Sequence, residues 1–278
     1  MQTNFVIDEH AHASGSFLTE SGIRKLMNEN QVDMLFLTPA QLGSKITYPL
    51  KNKARRDPYG DVVSGNNRLS GGMIRLIGAI KQIPEGNERV YQLCRQMPEC
   101  TRQIYWVTRK NVSQLDEDYE RMGFIGIKLH QCWEYFDISS NWFENVINWA
   151  GKKDLPVFIH VYTLVEMRKL IGFIKEHQEA TIIIAHLYGL ESFMEEPASD
   201  FENIWFDISN CYFVSKERIE MACRWIGADK LLFGSDTPYG IKSQKLTKDM
   251  VEKLDIPEGD KAKILGGNAA RLFEIQMV

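Results

Sequence analysis

Short apolar runs alternate with longer amphipathic stretches along nearly the whole 278-residue chain. The first run, opening at Asn4, leads into Asp8-Glu9-His10-Ala11-His12. Val32–Thr38 reads as a second strand, closed by Pro39. Further strands are predicted at Gln103–Val107, Phe124–His130, Leu155–His160, Thr181–His186, Asn203–Ile208 and Lys230–Asp236. Between the runs, apolar residues recur at helical spacing, as Ile23, Leu26 and Met27 do within Thr19–Asn30. The same spacing predicts helices at Met73–Lys81, Asn87–Met97, Val112–Met122, Ser140–Lys152, Leu164–His177 and Lys216–Trp225, with more to the end. The strands are short, apolar and rich in β-branched residues, as expected where both faces are buried. Eight strand–helix units predict an α/β fold, a (β/α)8 TIM barrel with extra C-terminal helices, over residues 1–278 as one domain. A doubly wound open sheet would usually keep a glycine-rich phosphate loop after its first strand. Here that place reads Ala13-Ser14-Gly15-Ser16.

Composition narrows the setting. With 44% hydrophobic residues the chain can bury a sizeable core. A net charge of −4 gives no support to nucleic-acid binding. No apolar run approaches membrane-spanning length, and the N-terminus lacks a signal-peptide pattern. Five cysteines without a pairing motif suit reduced thiols and a cytoplasmic location.

The chemistry collects at strand ends. Alternation along a strand points His10 and His12 the same way, so two imidazoles can share one metal ion. Two nitrogens do not complete a tetrahedral shell. Lys128 and His130 end the fourth strand, His160 the fifth, His186 the sixth and Asp236 the eighth. In a barrel these ends converge on the face where active sites are built.

This order resembles the amidohydrolase superfamily. It looks most like the amidohydrolase-2 branch that holds aminocarboxymuconate-semialdehyde decarboxylase, the resorcylate decarboxylases and related lactonases. The matching stretches are Asp8–His12, Gly126-Ile127-Lys128-Leu129-His130, Pro156–His160, Ile184-Ala185-His186, Leu232–Pro238 and Gly267–Phe273. The resemblance implies that His10, His12, His160 and Asp236 ligate one divalent ion, with zinc favoured. It implies that His186 sits beside the metal-bound water or the substrate. Asp236 would both touch the metal and take the water's proton, and a neutral His186 would hydrogen-bond an oxyanion or return a proton. Lys128 is expected to be an ammonium that binds substrate or pairs with a carboxylate. The alternative is a carbamylated Lys128 bridging two metals, as in binuclear relatives.

Plainer readings stand beside these. His130 is either a hydrogen-bonding support or a satisfied barrel histidine. His177 reads as a solvated helix residue. Asp8 shares the predicted face of His10 and His12, and either orients a ligand or braces the barrel. Asp207 is open between site and structure. Trp133, Tyr135 and Phe136 form pocket wall or core, whereas Trp142, Phe143 and Ile147 read as core.

The least regular stretch runs from about Ala40 to Gly72. It carries six basic residues (Lys45, Lys51, Lys53, Arg55, Arg56, Arg68) against two acidic ones (Asp57, Asp61). A loop of this length after the second strand would lie over the active-site face. Arg55, Arg56 or Arg68 would then clamp a substrate carboxylate bidentately. The alternative is a solvated surface or a subunit contact, and a homodimer is plausible by resemblance.

The expected activity is metal-dependent hydrolysis of a C–N or C–O bond in a small carboxylate-bearing or cyclic substrate. Non-oxidative decarboxylation of an unsaturated or aromatic acid is the alternative. A barrel that binds without turnover is the third reading, and the full ligand set argues against it.

Overall fold

The computed structural model describes residues 5–68, 71 and 78–276. Eight parallel strands pair in chain order: β1 Ile7–His12, β2 Met34–Thr38, β3 Thr101–Trp106, β4 Gly126–His130, β5 Val157–His160, β6 Ile182–Ile184, β7 Ile204–Asp207 and β8 Leu231–Leu232. The β1–β8 seam lacks a regular ladder. It is closed by Glu9 N–H to Phe233 O (3.0 Å), Asp236 N–H to His10 O (2.7 Å) and His12 N–H to Thr237 O (2.8 Å). The expected (β/α)8 barrel is therefore the fold.

Helices α1 Glu20–Asn30, α2 Ile83–Gln96, α3 Leu115–Met122, α4 Asn141–Lys152, α5 Leu164–Glu176, α6 Leu190–Met194, α7 Lys216–Ile226 and α8 Ser243–Glu252 follow their strands. Glu258–Ala262 (α9) and Asn268–Leu272 (α10) extend the C-terminus. Thr19, Ser140, Thr163 and Ser215 cap α1, α4, α5 and α7 by accepting a backbone N–H three residues on.

Alternation along the strands sorts the core into two layers. Ile7, Met34, Phe36, Ile104, Phe158, Ile183, Trp205 and Leu232 fill the barrel. Their neighbours Leu35, Leu37, Ile127, Val157, Ile159, Ile204 and Phe206 pack outward against Ile23, Met27, Val90 and Leu93 of the helices.

Four sequence expectations change. The predicted helix Asn87–Met97 begins four residues earlier, at Ile83, where Pro84 suits the first turn. The predicted helix Met73–Lys81 falls largely outside the described residues, and only a 3-10 turn at Ala79–Gln82 is seen there. The stretch read as irregular contains a helix at residues 63–68. Strand β8 is shorter than expected, because the chain leaves the ladder after Leu232 and turns toward β1.

One irregularity reorients the opening strand. Asp8 pairs with Leu35 and Ala11 with Leu37, so β1 holds one more residue than β2 across this span. Such a bulge breaks strict alternation. Asp8 thus does not share the face of His10 and His12. It accepts from Gln244 Nε2 on α8 and from Ser235 N–H, each at 2.8 Å. Its role is to brace the turn that carries Asp236. Glu9 is the acid beside Lys128 and Asp207, which act on it electrostatically.

Candidate functional site

His10 and His12 end β1, and each is oriented from behind. His10 Nδ1 donates to Asp207 Oδ2 at 3.0 Å, and His12 Nδ1 donates to Pro39 O at 2.7 Å. A neutral imidazole has one proton and one lone pair, so a committed Nδ1–H leaves the lone pair on Nε2. Both rings are neutral, because burial, helped by the charge of Lys128, lowers their pKa below the usual histidine value. Gly234 permits the close packing behind His10: a β-carbon there would lie 2.6 Å from His10 Cβ and 2.7 Å from Asp207 Oδ1.

Asp236 reaches the same point from the turn after β8, with a left-handed φ of 56°. Asn210 Nδ2 holds its Oδ2 at 3.0 Å. Its Oδ1 stands 3.3 Å from His12 Nε2 and 3.6 Å from His10 Nε2. Three atoms with lone pairs therefore face one another, and only a cation makes that arrangement favourable. Donors about 2.0–2.1 Å from a tetrahedral ion stand roughly 3.3–3.4 Å apart, close to this spacing. Lys128 marks the same preference: its Nζ donates to His10 Nε2 at 2.7 Å and reaches His12 Nε2 at 3.4 Å. Burial lowers the Lys128 pKa to about 8. The donor chemistry suits a divalent metal.

His160 lies to one side of this group. Its ring stacks on His130 at 4.0 Å and meets His186 edge-on at 5.0 Å. Its Nε2 is bonded to Asn67 Oδ1 at 2.9 Å. His130 in turn stacks on Trp106 at 5.4 Å, and its Nδ1 accepts from Cys132 N–H at 3.2 Å. That acceptance occupies the one lone pair of the neutral ring. His130 is thus a packed support, although it lies near Cys132 and His160 in a group spaced for metal binding.

His186 follows β6 in a left-handed conformation, φ 59°. Its Nδ1 donates to Ser209 O (3.2 Å) and Ser209 Oγ (2.8 Å), leaving the lone pair on Nε2. In this tautomer a neutral His186 cannot donate to an oxyanion from Nε2, as the sequence reading allowed. It accepts a proton first. Asp207 is a structural anchor for the site: it accepts from His10, from His186 N–H (3.1 Å) and from Ser209 N–H (2.7 Å).

The basic loop is a strap around the mouth. It bonds successively to the turns after β1 (Gly15 N–H to Ser44 O, 2.7 Å), β8 (Gly240 N–H to Tyr48 O, 2.8 Å) and β7 (Lys53 N–H to Tyr212 O, 2.9 Å). It then meets β6 (Gly189 N–H to Asp61 Oδ2, 2.7 Å) and β5 (Asn67 Nδ2 to Val161 O, 2.9 Å). Arg218, buried on α7, secures it through Tyr59 O (3.1 Å) and is itself held by an ion pair with Glu191 of α6. The proposed clamp residues Arg55, Arg56 and Arg68 are all exposed. Lys53 is the half-buried cation of the strap, its Nζ 6.0 Å from the centre of the Phe213 ring, which stands 6.2 Å from His186.

Aromatic rings wall the site. Phe158 lies 4.5 Å from His10, and Tyr239 lies 5.3 Å from His12 with Tyr48 stacked behind it at 5.2 Å. Of the expected wall, Trp133 packs on Trp106, Phe136 is core and Tyr135 is exposed. Phe143 and Ile147 are core, as expected. His177 is not fully solvated: it stacks on Phe173 at 3.8 Å and is half-buried. Glu9 is the unexpected group. It is buried, and neither carboxyl oxygen has a hydrogen-bond partner among the described residues. Burial, then the charge of Asp207, pushes its pKa well above the usual value.

A family model described as amidohydrolase, Amidohydro_2, matches residues 75–275. The chain belongs to the amidohydrolase-2 family. The match starts downstream of β1, so it does not include His10 and His12. No curated protein matches this amidohydrolase. Solved structures share its fold over nearly full length. The 2,6-dihydroxybenzoate decarboxylase from Rhizobium is 17% identical, with a TM-score of 0.71 and 99% of each chain covered. A dihydroxybenzoic acid decarboxylase from Polaromonas sp. JS666, with bound manganese and 2-nitroresorcinol, is 16% identical at a TM-score of 0.71, covering 99% of this chain and 98% of that one. The 4-oxalomesaconate hydratase from Rhodopseudomonas palustris is 17% identical at 0.65, covering 98% and 96%. No helix among the described residues is long and apolar enough to cross a membrane.

Proposed function

We propose that this chain is a metal-dependent hydrolase that cleaves a C–N or C–O bond in a small carboxylate-bearing or cyclic substrate. The observation that carries this is the convergence of His10 Nε2, His12 Nε2 and Asp236 Oδ1, three inward atoms that offer lone pairs and carry no proton of their own. A divalent ion there, for which zinc is the best match to imidazole and carboxylate donors, would bring the pKa of water toward about 7 and polarise a substrate oxygen.

The chain's own groups supply the proton transfers. Asp236 keeps Oδ2 on Asn210 and turns Oδ1 inward, where it takes the proton of the attacking water. His186 Nε2 takes that proton on from Asp236 and delivers it to the leaving group, which leaves Asp236 ionised again; its ring is held by Ser209. Phe158 and Tyr239 exclude water and favour a flat or cyclic substrate. Lys53 supplies positive charge for a carboxylate at the mouth, the role the sequence reading gave to the arginines. Burial makes that ammonium less solvated and lowers its pKa, so an anionic partner gains more from meeting it.

Non-oxidative decarboxylation is the second reading. The full-length likeness in fold to two decarboxylases favours it. A panel of lactones, amides and aromatic carboxylic acids separates the two, scored for acid release against carbon dioxide release. Acid release from a lactone or amide supports hydrolysis. Carbon dioxide release without hydrolysis refutes it.

A further inference from the structure

We propose that Asn67 is a positioning residue for His160, and that through it docking of the strap and binding of the cation are linked. The proposal rests on the metal-site reading above.

Asn67 is buried, with 1% of its surface exposed. Its Nδ2 donates to two backbone carbonyls after β5, Val161 O at 2.9 Å and Tyr162 O at 3.3 Å. Those bonds fix the direction of the amide, because a carbonyl oxygen only accepts. Oδ1 is therefore the atom facing His160 Nε2 at 2.9 Å, and Nε2 must carry the proton. With the proton on Nε2 committed to Asn67 Oδ1, the lone pair of the neutral ring lies on Nδ1.

Each site imidazole thus has an acceptor on one nitrogen. For His10, His12 and His186 that acceptor is Asp207, Pro39 O or Ser209, at the ends of the barrel strands or just beyond them. For His160 alone it comes from the strap. The helix at residues 63–68 carries Asn67, and the bonds of Lys53, Asp61 and Pro58 to the rim hold that helix down. Neighbouring Asn66 meets Lys53 Nζ at 3.4 Å, which ties the tip of the strap to its only half-buried cation among the described lysines and arginines of residues 40–68. With the strap docked, His160 presents Nδ1 and not Nε2 as its donor. By linkage, a cation bound to Nδ1 favours the docked strap by the same factor.

The test compares Asn67→Leu, which removes the acceptor and both donor bonds at similar volume, with Asn67→Asp, which keeps the acceptor and loses only the donors. Cobalt(II) affinity is measured by chelator competition and absorption spectrum. Tryptic cleavage at the exposed Arg55-Arg56 pair is followed with and without cobalt. Long-range 1H–15N spectra of the metal-free wild type report the His160 tautomer. We expect Nε2–H at His160, and protection of the strap by cobalt. Asn67→Leu should bind cobalt about 10–100-fold more weakly, the usual cost of losing a ligand's outer partner. Its cleavage should no longer respond to cobalt, whereas Asn67→Asp should keep the cobalt affinity and, without the Nδ2 bonds to Val161 O and Tyr162 O, show weaker protection of the strap. Wild-type cobalt affinity and spectrum in Asn67→Leu overturn the inference alone. An Nδ1–H tautomer in the wild type overturns it without any variant. A wild type that takes up no cobalt overturns the metal-site reading and the linkage with it.

Discussion

Lys128 places its ε-amino nitrogen 2.7 Å from Nε2 of His10, on the lone pair that a metal ion would use. A second bond of 3.4 Å reaches His12. Ammonium and metal therefore compete for the same electrons. Hydrogen bonds to a charged group contribute about 1.5–3 kcal/mol, or about ten- to a hundredfold in a binding constant. Lys128→Met should tighten metal binding by about that factor, with one equivalent retained per chain. Metal analysis after chelator competition checks this. A loss of bound metal in Lys128→Met would instead favour a carbamylated lysine bridging two ions.

His10 and Asp236 face each other across 3.6 Å without a proton of their own to share. Removing the metal should leave only the Lys128 ammonium to offset that repulsion. A ligand held at 100–1,000 times its Kd stabilises a fold by about 3–4 kcal/mol. Chelation should thus lower the melting temperature of the wild type and leave His10→Ala unchanged. Asp236→Asn should lose about 10²–10⁴-fold in kcat. Calorimetry and steady-state kinetics read the two effects, and full activity in Asp236→Asn would remove its assigned role.

Lys53 is the half-buried cation of the strap and lies beside Phe213, whereas Arg55, Arg56 and Arg68 are exposed. Lys53→Ala should raise KM for an anionic substrate about ten- to a hundredfold, the value of one charge-assisted contact. KM for the matching neutral amide or ester should barely move. Alanine at each arginine should change KM by less than about threefold, since exposed charges contribute under about 1 kcal/mol. A KM rise confined to an arginine variant would reverse the assignment.

Arg218 is buried, with hydrogen bonds to Tyr59 O and Leu187 O at 3.1 Å and an ion pair to Glu191. Breaking a buried pair costs about 3–5 kcal/mol. Arg218→Ala should sit near the lower end, about 3 kcal/mol, because Glu191 can turn to solvent. Denaturant unfolding measures the loss. Faster tryptic cleavage of the strap should accompany it, and an unchanged midpoint would refute the anchoring role.

The barrel was legible in the sequence, and so was the placing of His10, His12 and His160 at strand ends, whereas His186 and Asp236 stand in the turns just beyond the strands expected to end on them. Parallel strands buried on both faces leave unbroken apolar runs, and a polar residue closing such a run marks the end of the strand. The resemblance added roles to those positions. Neither source told Asp8 from Glu9, because the bulge exists only in the pairing of β1 with β2. A single extra residue there sends Asp8 outward to Gln244 and puts Glu9 beside Lys128 and Asp207.

Charge counting singled out the strap but not its working residues. Lys53 and Asn67 are indistinguishable from their neighbours by type alone. What separates them is contact with Tyr212, Phe213 and His160, which lie more than ninety positions away. The tautomers were equally out of reach, since each depends on which carbonyl or carboxylate the folded chain sets behind a ring. Local periodicity was enough to say which side chains gather at the barrel mouth. Which nitrogen of each imidazole faces inward waits on the folded chain, because a partner from a distant segment sets the place of the proton.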